Sequence, residues 1–282
     1  MTVATADRTQ LAEIAAIVAR ESAETLVGAV AGLRVATARR LIAPAAHFVA
    51  RRFVEYDNAL AMRGPRAGAT WIASRAISGV VVRGSEHVPA TGPLLIVANH
   101  PGLADAVSLL HAVGRDDMWI VAADFPFLRA MRGANRRFLF VRDGRAARLS
   151  ALRAIVGRLR RDDAVLLFPA GALEPDPAVA PAAALASLAS WSRSVELIAR
   201  LAPRTHVLPT VVSGVVSRAA FDHPLARRRA PAREQQRFAS LLQLAFPAYQ
   251  RVTVDVRFAL AMDATRGIRA GVIDAMRALM TA

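Results

Sequence analysis

Three observations predict an α/β fold, a mixed and largely parallel sheet flanked by helices, preceded by an N-terminal amphipathic helical extension. Short apolar runs alternate along most of the chain with segments of helical spacing, the order expected of strand-helix units. Some of these runs, such as L-L-I-V-A at 94–98 and A-V-L-L-F at 164–168, are apolar at every position, which marks strands covered on both faces. The first sixty or so residues show helical spacing alone, so they stand apart from the sheet.

That extension spans residues 7–62. Its apolar positions are Leu11, Ile14, Ile17, Val18, Leu26, Val30, Leu33, Leu41, Phe48 and Leu60, with Pro44 expected to kink or divide the helix. Arg34, Arg39, Arg40, Arg51 and Arg52 lie beside these apolar faces. A basic and apolar helix suits the interface of an anionic bilayer, and it equally suits a helical pair packed on the main domain. Gly64, Pro65 and Gly68 form a breaker cluster, read as the joint between residues 1–64 and a domain of residues 65–282.

The domain opens with a strand at 79–83, a loop carrying Pro89, and the buried strand 94–98, followed by a helix at 103–113. A strand at 118–122, a short helix at 126–131 and the basic segment 132–137 lead into a strand at 138–141 that Arg142 closes. Leu149, Leu152, Ile155, Val156 and Leu159 set a helix over 146–159, before the strand 164–168 and the turn Pro169-Ala170-Gly171. Pro175, Pro177 and Pro181 mark a loop, then residues 182–201 read as one helix. The strand 206–212 contains Pro209, which places it at an edge or a bulge. An arginine-rich loop at 227–233, a helix at 234–245, the alternating strand Val252, Val254, Val256, Phe258 and a helix at 266–280 complete the chain.

Composition narrows the chemistry. Cysteine is absent, which excludes disulfides, thiolate nucleophiles and cysteine-ligated metal sites, and the six histidines show no metal-ligand spacing. The formal net charge is +15, and all 37 basic residues are arginine. Such a charge favours an anionic partner: a membrane surface, a phosphorylated substrate or nucleic acid. Nucleic acid is disfavoured, because no recognition motif accompanies the charge. Hydrophobic residues make up 54% of the chain, yet no uncharged apolar run reaches the length of a spanning helix, and no secretory signal pattern is visible. Cytoplasmic residence with peripheral contact on the inner face of a membrane is the expectation.

The stretch 93–110 carries the clearest candidate for chemistry. A buried strand runs straight into Asn99-His100-Pro101-Gly102 and then a helix, with Asp105 in the helix's first turn. Side chains at such a junction stand at the carboxyl edge of a parallel sheet, where ligands of these sheets bind. His100 reads as a general base whose other ring nitrogen donates to Asp105, an arrangement that lets a hydroxyl attack a carbonyl. Short of further motifs, a loop histidine beside a first-turn acid explains the same residues.

Further motifs follow in order, and together they resemble the glycerolipid acyltransferase family over roughly residues 80–214. Asn99-His100-Pro101 through Asp105 is similar to the family's N-H-x-x-x-x-D signature; Arg137-Phe138-Leu139-Phe140-Val141-Arg142 resembles its second motif. Phe168-Pro169-Ala170-Gly171 resembles the third, usually F-P-E-G-T-R, and Val207-Leu208-Pro209 the fourth. The resemblance implies direct acyl transfer from acyl-CoA or acyl-carrier protein to a hydroxyl of a glycerolipid or lyso-lipid, without a cofactor. It makes His100 the base, Asp105 its orienting acid, and Asn99, Arg137, Arg142, Phe168, Pro169 and Gly171 the substrate-binding set. Arg142 is expected to hold the acceptor phosphate, and backbone amides near Gly102 and Gly171 to face the oxyanion.

At the third motif the chain departs from the family, with Ala170, Ala172 and Leu173 in place of glutamate, threonine and arginine. This puts the usual acceptor in question. Glu174 stands within reach of the site or on the surface, the surface being preferred. The competing reading is a lipid-binding protein that keeps the fold and has lost turnover.

Overall fold

A computed structural model of the chain describes residues 3–29, 32, 34–265 and 267–282. Val30, Leu33 and Arg266, read above as helical, lie outside the described residues. Two long helices open the structure, α1 (Val3–Ala29) and α2 (Val35–Ala76). Pro44 sits within α2, and the bend falls instead at Gly64, where φ is 82° and ψ 171°. The breaker cluster is therefore a kink between two helical runs: the first stops at Gly64, and Pro65, whose fixed φ suits a helix start, opens a second that continues to Ala76.

The chain continues through β1 (Gly79–Arg83), β2 (Leu94–Ala98), α3 (Leu103–Val113), β3 (Met118–Ala123), α4 (Pro126–Ala130), β4 (Phe138–Val141), α5 (Arg145–Leu159) and β5 (Ala164–Leu167). After these come α6 (Pro181–Ser187), α7 (Ser194–Leu201), β6 (His206–Ser213), α8 (Arg218–Phe221), α9 (Pro224–Arg227), α10 (Ala232–Ala245), β7 (Thr253–Phe258), β8 (Met262–Asp263) and α11 (Ile268–Thr281). The single helix expected at 182–201 is divided, because the chain breaks around Trp191 to bury its ring.

The strands form a mixed sheet in the order β1-β7-β6-β2-β5-β3-β4, with β8 beside β6. Pairings from β6 across to β4 are parallel, whereas β7 and β8 run antiparallel to β6. Strand β2, central and covered on both sides, is buried at all five positions. Its alternate residues divide between two cores. Leu95 and Val97 face α5, α7 and α11 with Val165, Ile198 and Val272, while Leu94 and Ile96 face α3 with Leu109, Leu166 and Leu208. Full burial of each such side chain contributes about 1.5–3 kcal/mol, which fixes the register of the central strands.

Pro209 stands inside β6, opposite Val97, and so not at a sheet edge. Its carbonyl accepts from the Ala259 N–H at 3.0 Å, beyond the end of β7 and before β8. Within a strand, a residue's nitrogen and carbonyl face the same side. The missing N–H of proline thus falls at a break in the pairing, where no ladder bond is lost.

The helical pair packs on the domain. Ile14 and Ile17 of α1 join Val54 and Ile72 of α2 and Met131 beyond α4, and Ala23 and Ile42 join Phe238 and Leu242 of α10. Asp57 adds a polar anchor. Its buried carboxylate accepts from the backbone N–H groups of Gly133 (2.9 Å) and Ala134 (2.7 Å) and from Gln10 Nε2 (2.7 Å).

Candidate active site

Five strands in the parallel half of the sheet, β2 through β6, end on one edge, and the loops after them converge there. His100 lies two residues past β2. Its Nδ1 is 2.7 Å from Asp105 Oδ2, and because a carboxylate only accepts, the neutral ring carries its proton on Nδ1 and turns the Nε2 lone pair outward. Asp105 is fully buried, whereas the His100 side chain keeps 28% exposure. Asp105 holds this place because Oδ2 also accepts the Gly102 N–H at 3.0 Å, closing the first turn of α3, where helix amides favour a negative charge. On the other side the imidazole stacks on Phe168, with ring centroids 4.3 Å apart and planes 20° from parallel. Burial of the ring disfavours its charged form, but the Asp105 charge, its hydrogen bond and the Glu174 charge outweigh that, and the pKa of His100 is raised.

Glu174 is the residue that sequence reasoning misplaced. It is fully buried, not a surface acid. Its Oε2 accepts the His100 backbone N–H at 3.1 Å, and Oε1 accepts from Trp191 Nε1 at 2.7 Å and Ser187 Oγ at 2.8 Å. The Glu174 N–H in turn donates to the His100 carbonyl at 2.8 Å. Burial pushes its carboxyl pKa up against the opposing pull of those donors. Gln236 of α10 ties the same loops together: its Nε2 donates to the carbonyls of Pro101 (2.9 Å) and Glu174 (2.8 Å), and its Oε1 accepts the Asp176 N–H at 2.8 Å. Buried Asp176 then accepts from Gly214 and Val216 beyond β6, each at 2.9 Å. Gly214 has φ +74°, and a Cβ there would meet the Thr253 carbonyl oxygen at 2.5 Å, so only glycine makes this turn. The signal for this network lay in Glu174-Pro175-Asp176-Pro177, two acids each followed by a proline directly after the third motif.

Several expected substrate contacts are redirected. Asn99 is fully buried and both ends of its amide are used: Nδ2 donates to the Val212 carbonyl and Oδ1 accepts the Val212 N–H, each at 2.8 Å. It prolongs the β2–β6 pairing with a side chain and is closed off from solvent. Asn99→Ala, which orphans two buried backbone groups, is expected to lower stability by about 2–3 kcal/mol in urea unfolding. Pro169 is buried, with its carbonyl accepting from Ser192 at 3.1 Å. Arg137 precedes β4 and Arg142 follows it, so the two stand at opposite ends of a strand, and Arg137 lies away from His100, 5.5 Å from the Trp119 ring. Arg142 remains at the carboxyl edge, where Asp124 accepts from it. The Gly171 N–H donates to Phe168 O at 3.1 Å and that of Gly102 to Asp105, so neither amide is free for an oxyanion.

Two shallow concavities, of about 500 and 570 Å³, lie elsewhere. One is lined by the loops before β2, β3 and β5, the other by α2 and Asp116, and neither includes His100.

A parallel sheet edge that carries a paired histidine and buried acid defines an α/β domain equipped for proton transfer. Residues 79–213 match the family model described as Acyltransferase. Among solved structures, the chain is similar to the 1-acyl-sn-glycerophosphate (LPA) acyltransferase PlsC from Thermotoga maritima. The two are 18% identical with a TM-score of 0.51, over 98% of this chain and 93% of that one. No curated protein matches the chain. Residues 79–213 therefore carry an acyltransferase domain, and the likeness to the solved structure shows a shared fold.

Proposed function

We propose that His100 is the general base of acyl transfer from a thioester, acyl-CoA or acyl-carrier protein, to a hydroxyl of a glycerolipid or lyso-lipid. The observation that carries this is the 2.7 Å bond between His100 Nδ1 and buried Asp105, which leaves Nε2 as the unprotonated nitrogen of a ring that keeps some exposure to solvent. Nε2 takes the acceptor's proton as the hydroxyl oxygen attacks the thioester carbonyl. The tetrahedral adduct then collapses with cleavage of the C–S bond, and the imidazolium returns the proton to the leaving thiolate. Asp105 steadies the imidazolium, and Phe168 holds the ring's orientation by stacking.

The pH profile tests this role. Only neutral His100 accepts a proton, and its pKa stands above the ordinary 6.5, so kcat/KM for acyl transfer is expected to rise with pH along an acidic limb above that value. In Asp105→Asn the carboxylate's pull is gone and burial prevails, so the limb moves to lower pH while the rate falls. A limb that stays in place would exclude the pair as the catalytic unit. The same shift gives the His100–Asp105 ion pair a stabilising contribution that is complete below pH 6.5 and is lost as pH rises through the raised value.

Peripheral attachment to an anionic membrane is part of the proposal. On α2 the large apolar residues Leu41, Phe48 and Met62 remain 66%, 42% and 76% exposed, and they recur at multiples of seven residues. Arg40 and Arg51 are exposed near them, and the Arg52 guanidinium lies 4.6 Å from the Phe48 ring centroid. Such a face suits headgroups and the acyl boundary. Among the described residues no helix is long and apolar enough to cross a membrane.

A further inference from the structure

The loops after β3 and β4 are held side by side, since Ala123 pairs with Val141 and the Asp124 N–H donates to the Val141 carbonyl at 3.3 Å. At their tip the Asp124 carboxylate accepts from the guanidinium groups of both Arg129 and Arg142. Arg129 is further fixed over the Phe140 ring, 3.8 Å from its centroid. Asp124 thus stands on the arginine that the acceptor's phosphate was expected to meet. Two positive charges and one negative leave this corner a single net positive charge. Hydrogen bonds from Arg129 and then Arg142 hold the Asp124 carboxyl down at about 2, so the negative charge is present at any working pH.

The loop after β5 adds no cation. Where the family motif has arginine this chain has Leu173, 38% exposed, with Ala170 and Ala172 beside it. Phe125, next to Asp124, is 58% exposed, so the margin there is apolar as well. Strand β4 lies three places from β2 in the sheet, about 14 Å at the usual strand spacing, a span that a long arginine side chain and an acceptor headgroup together cross.

From this geometry we infer that the corner's single net positive charge, set by Asp124 and left unsupplemented at Leu173, matches a lyso-lipid or partial glyceride bearing at most one negative charge near its acceptor hydroxyl, and holds a phosphomonoester dianion less well. Asp124 cancels half of the positive charge a dianion would meet and takes the Nε–H of both guanidinium groups, and the β5 loop offers no replacement cation. A phosphodiester or an uncharged headgroup meets neither obstacle. The inference rests on the acyl-transfer reading above and specifies its acceptor.

The test compares three acceptors in neutral detergent micelles, with oleoyl-CoA and oleoyl-carrier protein as donors: 1-oleoyl-lysophosphatidate, 1-oleoyl-lysophosphatidylglycerol and monooleoylglycerol. The readout is the ratio of kcat/KM values within each enzyme, which a general loss of activity does not move. The parent is expected to favour one or both of the last two over lysophosphatidate by about tenfold or more. Asp124→Asn is expected to narrow that ratio by about tenfold, and adding Leu173→Arg to narrow it further, while Asp124→Glu keeps the parental ratio. Lysophosphatidate as the best acceptor of the parent, or a ratio unchanged in Asp124→Asn, would overturn the inference and leave the role of His100 standing. A parent that transfers to none of the three and matches His100→Ala would overturn both.

Discussion

Replacing His100 with alanine is expected to lower kcat/KM for acyl transfer by about 10²–10⁴-fold, the usual contribution of a positioned base. The fold should persist in this variant. The side chain is partly open to solvent, and the backbone bonds that hold its loop, from His100 N–H to Glu174 Oε2 and from Glu174 N–H to the His100 carbonyl, do not involve the imidazole. Thermal unfolding run beside a thiol-release assay separates the two effects. A variant that keeps its melting temperature and loses turnover bears out the role; one that keeps its turnover refutes it.

Glu174→Ala should damage both stability and rate. Removal of the carboxylate leaves the indole N–H of Trp191, the hydroxyl of Ser187 and the backbone N–H of His100 without their acceptor in a buried place, at a cost of about 3 kcal/mol or more. The backbone of the proposed base then loses its support. Displacement of a reacting group by an ångström costs on the order of 10²-fold in rate. Glu174→Gln is expected to fall between, since it keeps an acceptor for Trp191 but turns an amide donor toward the His100 N–H. Denaturant unfolding and the acyl-transfer rate check both. A full rate with a normal midpoint in Glu174→Ala would show that the loop is held by other means.

The strand order of residue types made most of the sheet readable in advance. An unbroken apolar run such as 94–98 has little choice but to lie between two helical layers, and it does. His100 and Asp105 were legible for a similar reason, because their spacing across a strand-to-helix junction constrains them locally. Interactions that depend on distant parts of the chain were not. Glu174 looks solvent-facing until α10 and Trp191 close over it, and the paired acid-proline steps that begin with it mark an ordered loop without naming these distant partners. Pro209 looked like an edge residue because its own strand cannot reveal that the neighbouring strand breaks where its nitrogen points. Arg137 and Arg142 sit in one short motif, yet the four residues of β4 between them carry them to opposite rims of the sheet. Asn99 was misassigned for a simpler reason: an amide that completes a strand pairing and one that meets a substrate are the same letter in the sequence.

Asp57 bears on how the enzyme is divided. Its carboxylate reaches from α2 to the Gly133 and Ala134 amides in the loop that feeds β4, and Ile14, Ile17 and Val54 cover Ala130 and Met131 beside it. Cutting the polypeptide at Gly64 would therefore not release a self-sufficient catalytic unit behind a dispensable leader. It would unroof the segment that carries Arg129 and leads to Arg142, stripping cover from the corner proposed above to choose the acceptor headgroup. If the two leading helices meet a bilayer as proposed, a force on them reaches that corner through the buried Asp57 carboxylate, the Gln10 amide bonded to the Ala130 carbonyl, and their apolar surround.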